Sequence, residues 1–359
     1  MKTCKLSIIV AVVLLLLTVH PCHGISESCM KAYNQGGAPA VLQSPDCSQW
    51  VLSTRSLVNQ TTNCEFVNNI GEALYQEDHI SCNIDMQIPL PGKDGPKDVR
   101  VGVVAVFDGH MGEEASRMSS ELLLQYYLLH SAFIVNGNKE QVVGFAEHYG
   151  DGSNLTSSNA VRLVISEELT HKRILKEALL RTIRDIDLTF SKASEELLLA
   201  FDVEALEKGL SAGTTATVAV LVHGQILVAN VGDSKAILCS EKRDSHQKIK
   251  GTFFATELTS DHHPTRADER ARIKEAGGFV FGMGNKMFFN DFYWFTRAIG
   301  NVALKRYGVT AEPEVTDWQP LTTNDSYLVL ATSGVLKKLS SQDVCDLFPA
   351  PNWKYKKPT

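Results

Sequence analysis

The spacing of hydrophobic positions changes along the chain, and it predicts helices first and strands afterwards. From Glu113 to His130, and again over residues 161–202, apolar side chains recur every three or four positions, as on an amphipathic helix. Residues 101–107 form an apolar run without alternation, which is typical of a strand covered on both faces. Beyond Gly213 the apolar runs become short and β-branched, with turn residues between them. These later strands are expected at 214–222, 226–231, 236–239 and 327–332.

The order of these elements bears on the fold class. The strands after Gly213 follow one another through short turns such as His223-Gly224, so we expect neighbouring strands to run antiparallel. Helices precede the strands instead of alternating with each of them, which favours an α+β fold over a doubly wound parallel sheet. The net charge of −6 and the lack of a basic stripe in the sequence argue against nucleic-acid binding.

The first 24 residues have the composition of a targeting segment. Lys2 and Lys5 precede a largely apolar run at 6–19, and Cys22 and Gly24 stand where a cleavage site needs small residues. This run is short for a membrane-spanning helix, so we expect a signal peptide, with an uncleaved signal anchor as the alternative. Both predict entry into the secretory pathway, with the protein secreted or anchored to a membrane.

Residues 25–63 are rich in Ser, Gln and Asn, and we expect a leader or linker there, before a domain at 64–359. The secretory pathway favours disulfide bonds. Four clustered cysteines allow two bridges in three pairings, and the sequence does not choose among them. These cysteines are Cys29, Cys47, Cys64 and Cys82, whereas Cys239 and Cys345 stand apart.

An acid, a glycine and a histidine follow the buried strand, as Asp108-Gly109-His110. A carboxylate at the end of such a strand is costly to bury unless it meets a cation or hydrogen-bond donors. Gly109 allows the backbone to turn its carbonyl group toward the same point. The three residues are therefore candidates for a cation site, and a polar turn after a core strand is the alternative.

Five segments, in order and with matching spacing from about Cys64 to Leu347, resemble the protein phosphatase 2C family of metal-dependent Ser/Thr phosphatases. They are Tyr75-Gln-Glu77-Asp78, Phe107-Asp108-Gly109-His110-x-Gly112, Ser211-Ala-Gly213-Thr-Thr-Ala216, Ala229-Asn-Val-Gly-Asp-Ser-Lys235 and Leu258-Thr-Ser-Asp261-His-His-Pro264. The best match is to the plant branch in which a hydrophobic leader precedes the phosphatase domain. The resemblance implies an antiparallel β-sandwich flanked by helices on both faces.

The resemblance also implies a reaction. The family holds two Mn²⁺ or Mg²⁺ ions at one edge of the sandwich, and a water between them attacks the phosphoserine or phosphothreonine of a protein substrate. At the matching positions, Asp108 would bind both ions, the Gly109 carbonyl group would bind one, and Glu77 would hold a water of that ion. His110 would be the general acid for the leaving alkoxide.

The chain departs from the family pattern in four places. Ala73 stands where the family has an arginine that grips the substrate phosphate, and Ser333 stands where an aspartate binds the second ion. Asn301 replaces a further aspartate, for which a structural role or an accessory ion is expected. The chain stops at Thr359 without the Gly-x-Asp-Asn motif that supplies another carboxylate, so we expect the domain to lack its last strand.

These departures leave two functions in competition. The chain is either a phosphatase that hydrolyses phosphoserine and phosphothreonine through a metal-activated water, or a catalytically impaired pseudophosphatase that acts by binding a protein partner. Because the second ion keeps only the shared Asp108, we expect one ion, or weak binding. The departures together favour little or no catalysis, and the missing strand would leave a sheet edge exposed.

Overall fold

The computed structural model describes most of the chain beyond the leader. The described residues are 25–50, 64–67, 76–137, 158–199, 211–243, 248–283, 286–290 and 293–348. The predicted targeting segment at 1–24 and the departure at Ala73 lie outside these ranges.

Strands and helices follow the predicted order. The strands are β1 (His79–Gly92), β2 (Gly95–Phe107), β3 (Gly109–His110), β4 (Gly213–Thr214), β5 (Ala216–Val222), β6 (Gln225–Val231), β7 (Lys235–Arg243), β8 (Lys248–Glu257), β9 (Val280–Met283), β10 (Lys286–Phe289), β11 (Ile299–Gly300), β12 (Glu314–Val315), β13 (Gln319–Pro320) and β14 (Asp325–Ala331). The helices are α1 (Glu27–Gln43), α2 (Glu114–Gly137), α3 (Ser158–Leu199), α4 (Ala267–Glu275), α5 (Val302–Lys305), α6 (Ser333–Leu336) and α7 (Ser341–Asp346).

The larger sheet is antiparallel and has β2 in its interior. Its strand order is β1-β2-β5-β6, and β12 and β13 both pair with β6. The apolar run at 101–107 lies in β2, where Val101, Val103 and Phe107 are fully buried. Strands β1 and β5 flank β2 on its two edges, so its backbone groups are paired on both sides. The expectation of a buried strand before Asp108 is confirmed.

Alternating side chains of β5 separate two apolar layers. Val218 and Val220 belong to the core beneath the helices, whereas Ala219 packs with Leu328 and Leu330 of β14. Strand β14 belongs to the smaller antiparallel sheet, whose order is β14-β7-β8. The two sheets therefore face each other across an apolar layer, as in a β-sandwich.

Helices cover both outer faces of the sandwich. On the larger sheet, Tyr127 of α2 and Leu179 of α3 are fully buried in the same cluster as β2 and β5. On the smaller sheet, Val344 of α7 packs against Phe253 of β8. The predicted α+β class is confirmed. Within the described ranges, no helix is both long enough and apolar enough to cross a membrane.

Residues 25–50, expected to form part of an irregular linker, contain a helix that packs into the core. Tyr33 of α1 is buried and its ring stacks on Phe133 of α2 at 4.6 Å. The sequence suggested little order here because the segment is rich in Ser, Gln and Asn and has little periodicity. The predicted domain boundary near Cys64 stays a prediction. Helix α1, which precedes this boundary, packs against the domain that follows.

A buried acid holds the bend in α1. The helix departs from helical geometry at 36–37, and the freed N–H of Ala38 donates to Asp185 Oδ2 at 2.9 Å. The same oxygen lies 3.1 Å from His130 Nε2, and His130 Nδ1 is 2.8 Å from the Tyr33 hydroxyl. One polar chain therefore joins α1, α2 and α3 within an apolar layer, where unsatisfied groups would be costly.

Disulfide bonds join Cys29 to Cys47, Cys64 to Cys82 and Cys239 to Cys345. The four clustered cysteines thus pair in sequential order, one of the three pairings that the sequence allowed. The third bond joins β7 to α7 across a separation of 106 residues, and both of its cysteines are fully buried.

Removal of the Cys239–Cys345 bond should destabilise the protein more than removal of Cys29–Cys47. We expect Cys239→Ala/Cys345→Ala to lower the free energy of unfolding by about 2–4 kcal/mol, because a longer closed loop restricts the unfolded chain more strongly. Cys29→Ala/Cys47→Ala, which opens a separation of only 18 residues, is the matched comparison and should lose less. Urea unfolding of the oxidised proteins measures both. A Cys239/Cys345 variant as stable as the wild type would contradict this expectation.

Candidate metal centre

Asp108 follows β2 directly, and the segment between β4 and β5 fixes its backbone. The N–H of Asp108 donates to Thr215 Oγ1 at 3.1 Å. Its carbonyl oxygen accepts from the N–H of Thr215 at 3.0 Å and from Thr214 Oγ1 at 3.1 Å. At this point the chain leaves the large sheet, since β4 pairs with β3 and β11 instead. The Asp108 carboxylate is therefore held at the edge of the sandwich.

Close packing at Gly109 brings a second segment to Asp108. A Cβ atom on Gly109 would lie 2.2 Å from the carbonyl oxygen of Glu77 and 2.7 Å from Ser116 Oγ. Ser116 Oγ donates to that same carbonyl oxygen, so α2 holds the segment that precedes β1. Glycine is required here because two backbones approach closely.

Two carboxyl groups meet at this edge. Asp78 hydrogen-bonds to Asp108, and burial together with the negative charge of Asp108 raises the pKa of Asp78 to about 6. Two carboxylates in contact repel unless a proton or a cation lies between them. Asp78 ends the motif Tyr75-Gln-Glu77-Asp78, for which no role of this aspartate was expected, and the motif itself was the signal that could have identified it.

Glu77 points to the turn after β3. Its Oε1 atom accepts the N–H of Gly112 at 2.7 Å. Met111 and Gly112 both have positive φ values there, 60° and 124°. The predicted role of Glu77, holding a water of the metal ion, stays a prediction.

The charge of Asp108 also acts on a third carboxyl group, that of Asp233. Burial and the charges of Asp108 and Asp261 raise the pKa of Asp233 to about 6. Asp233 lies in the turn between β6 and β7, and Gly232 in the same turn packs closely on Thr215. The sequence gives no sign of this interaction, because it depends on how the two sheets pack.

His110 is held by Asn301. His110 Nε2 is 2.7 Å from Asn301 Oδ1, and Asn301 Nδ2 donates to the carbonyl oxygen of Ser211 at 2.6 Å. Because that carbonyl can only accept, the amide oxygen faces His110, and Nε2 carries the hydrogen. Burial lowers the pKa of His110, and its ring packs on Phe295 at 4.4 Å. Asn301, noted as a departure from the family pattern, therefore orients the candidate acid.

Ser333 reaches Asp108 through its backbone. The N–H of Ser333, the first residue of α6, donates to Asp108 Oδ2 at 2.8 Å. Where the family pattern places a metal-binding carboxylate, this chain therefore supplies a peptide N–H and a neutral hydroxyl.

The donor set at this edge fits a hard divalent cation. Mg²⁺ and Mn²⁺ favour carboxylate oxygens, which Asp78 and Asp108 bring together. The role of the Gly109 carbonyl group as a ligand stays a prediction. The contact between two carboxyl groups supports the fit, because a cation would remove their repulsion.

A second group of metal-ligating residue types is neutralised by arginines. Ligand atoms of His262, Glu269 and Glu314 lie within 4.8 Å of one another. Guanidinium groups bind both glutamates: Arg272 and Arg297 at Glu269, and Arg266 at Glu314. This group is an ion-pair network. His262 holds its loop against the turn after β6, since its Nδ1 atom accepts the N–H of Gly232 at 3.0 Å.

Comparisons with known proteins identify the family. The sequence model of protein phosphatase 2C matches residues 135–351. Probable protein phosphatase 2C 51 of Arabidopsis thaliana is 38% identical over 388 residues, covering 91% of this chain and 70% of that protein. Putative protein phosphatase 2C 76 of Oryza sativa subsp. japonica is 37% identical over 403 residues, covering 93% of this chain and 78% of that protein. A solved serine-threonine phosphatase 2C from Toxoplasma gondii has a TM-score of 0.54 at 23% identity, covering 76% of this chain and 78% of that one.

The chain belongs to the protein phosphatase 2C family of protein Ser/Thr phosphatases. The family model spans more than half of the chain, and relatives above 35% identity span nearly all of it. The solved structure supports the fold alone. Members of this family depend on metal ions and act on phosphoproteins, so the resemblance inferred from the five segments is confirmed.

Replacement of Asp78 should stabilise the metal-free protein at neutral pH. The pKa of Asp78 is about 6 in the folded protein and near 3.8 in the unfolded chain, so the folded state retains its proton to higher pH. Stability therefore falls as the pH rises from about 4 to about 6, and the loss persists above pH 6. Asp78→Asn removes this repulsion and should raise the free energy of unfolding at pH 7.5 by about 1 kcal/mol, with solvent screening included.

Urea unfolding in EDTA at pH 4 and pH 7.5 measures this effect. The advantage of Asp78→Asn should be present at pH 7.5 and nearly absent at pH 4. Asp98→Asn, at an exposed aspartate of β2, is the matched control and should change neither value. An equal advantage at both pH values would show that repulsion with Asp108 is not its cause.

Proposed function

We propose that this chain hydrolyses phosphoserine and phosphothreonine in proteins, with Mn²⁺ or Mg²⁺ bound where Asp78 meets Asp108. The contact between these two carboxyl groups at the sandwich edge carries the proposal, because it creates a demand for positive charge that a divalent ion would meet. Family membership supports the reaction class, since protein phosphatases 2C act on phosphoproteins.

The residues of the site would bind the metal ion and keep its ligands in place. Asp78 and Asp108 would hold the ion, with the carbonyl group of Gly109 as a further ligand. When bound, the ion lowers the pKa of a water molecule and neutralises the phosphoryl oxygens. Because Thr214 and Thr215 already fix the backbone of Asp108, this arrangement needs little reorganisation during the reaction.

His110 is the proposed general acid for the leaving alkoxide. Its Nε2 hydrogen is held by Asn301, and the ring also hydrogen-bonds to the backbone of Asp108, so one of these bonds would break as the proton moves to the leaving oxygen. Burial lowers the pKa of His110, which makes the protonated ring a stronger acid. Packing on Phe295 keeps the ring plane in place.

A catalytically impaired pseudophosphatase is the second candidate, and Ser333 is the observation that favours it. The position that would carry a second metal-binding carboxylate offers only a hydroxyl, while its N–H occupies one side of the Asp108 carboxylate. The phosphatase fold would then serve to bind a protein partner.

We also propose that the protein works in the secretory pathway, either secreted or anchored to a membrane. The three disulfide bonds support an oxidising compartment, because such bonds are rare where glutathione keeps thiols reduced.

Hydrolysis of a phosphothreonine peptide by the full chain separates the two functions. With Mn²⁺ or Mg²⁺ titrated in, we expect metal-dependent turnover that Asp108→Asn lowers about 100-fold or more, because the variant loses a charged ligand. Asp98→Asn, the same chemical change at an exposed position of β2, should keep full activity. A cooperatively melting sample without turnover at millimolar metal would exclude the phosphatase and favour the binding function.

A further inference from the structure

Two histidines meet at the end of the larger sheet that lies away from the candidate metal centre. His171 belongs to α3, and His223 lies in the turn between β5 and β6. His171 Nδ1 is 3.1 Å from His223 Nε2. Val222, which precedes His223, pairs with Val101 of β2. The extended chain from Val101 to Asp108 puts about 20 Å between the histidine pair and the candidate metal centre.

The backbone of β1 fixes the ring of His171. His171 Nε2 is 2.7 Å from the carbonyl oxygen of Pro91, and His171 is only 2% exposed. Because a carbonyl oxygen can only accept, Nε2 carries the hydrogen, and Nδ1 presents its lone pair to His223. A histidine that binds a metal ion usually has this arrangement, with one ring N–H donated to a carbonyl group and the other nitrogen available.

His223 supplies the second nitrogen from an exposed position. Its φ value is 51° and that of Gly224 is 69°, as in a tight two-residue hairpin turn. His223 is exposed, in contrast to the buried His171. Solvent therefore reaches the pair from the side of His223, which an entering ion and its water ligands require.

The distance between the two nitrogens suits one zinc ion. Zn–N bonds of about 2.0–2.1 Å at a tetrahedral angle place two nitrogen ligands about 3.3 Å apart. With the nitrogens already 3.1 Å apart, rotation of the exposed His223 ring lets an ion replace the hydrogen between them. The charges nearby are mixed, since Glu168 favours a cation at His223 whereas Lys172 and Lys97 oppose it. Binding would therefore come from the imidazole nitrogens, which suit zinc better than Mg²⁺ or Mn²⁺.

We propose that His171 and His223 bind one zinc ion, which joins α3 to the turn between β5 and β6. Water molecules would complete the coordination of the ion. The hydrogen on His223 Nε2 would move to Nδ1 by exchange with solvent, so both rings stay neutral while Nε2 binds the metal. This site is independent of the proposed function, because neither histidine has a part in phosphate hydrolysis.

Calorimetric titration of the full chain with Zn²⁺ tests this inference. Millimolar Mg²⁺ in the buffer keeps zinc from the carboxylates of the candidate metal centre. His223→Asn removes the imidazole and tolerates the positive φ value, so it should lose one zinc ion or bind it at least about tenfold more weakly. His171→Gln, whose side-chain amide can still donate to Pro91, should show the same loss.

His263→Asn is the matched control, since it removes a histidine of another loop, which hydrogen-bonds to Thr265. Its zinc binding should equal that of the wild type. Thermal melts give a second measurement, because an ion that binds only the folded chain stabilises it. Zinc should raise the Tm of the wild type and of His263→Asn more than the Tm of His223→Asn or His171→Gln.

The inference is overturned if the wild type and His223→Asn bind the same number of zinc ions with the same affinity. The two histidines would then be only a hydrogen-bonded tie between α3 and the turn. It also fails if zinc shifts the Tm of both proteins equally. His223 lies on the exposed surface, so this comparison holds even if His171→Gln does not fold.

Discussion

Repulsion between the carboxyl groups of Asp78 and Asp108 is the constraint on which the site depends. The fold brings these groups together, because β2 ends at Phe107, directly before Asp108, and the backbone of Glu77 packs closely on Gly109. A contact of like charges persists only where the surrounding structure determines it. Here the larger sheet and α2 hold the two carboxyl groups in place, and their shared negative charge is what would bind a cation.

The apolar layers give this edge its rigidity. The layer beneath α1, α2 and α3 fixes β2 and β5, and the layer between the sheets fixes β14 against them. Strand β14 then delivers Ser333 to Asp108, while β7, its neighbour, begins just after the turn of Asp233. The acidic side chains at this edge therefore have little freedom to move. A disulfide bond between Cys345 and Cys239 joins α7 to β7. The helix that covers the smaller sheet is therefore fixed to the strands beneath it.

Those parts of the structure that follow from local pattern could be predicted from the sequence, and those that depend on distant contacts could not. The strand before Asp108 was predictable because an unbroken apolar run has few other interpretations. Helix α1 was missed because its bend is stabilised by Asp185, 147 residues from Ala38. The approach of Ser333 to Asp108 spans 225 residues and follows from the register of β14 on β7. Motif recognition reached Asp108 and His110, but it gave Asp78 no role because that role depends on charge in three dimensions.

The departures from the family pattern are better judged by the charge and contacts they change than by identity alone. Asn301 removes a charge yet keeps an acceptor for His110 Nε2, and its amide group is anchored on Ser211, so the orientation of the ring is preserved. Ser333 omits a carboxylate, but its N–H still reaches Asp108, so this position contacts the site through the backbone instead of through a charge. Each of these two departures changes the charge of the site while a contact with His110 or Asp108 is kept. A site changed in this way can be an altered enzyme as readily as a failed one.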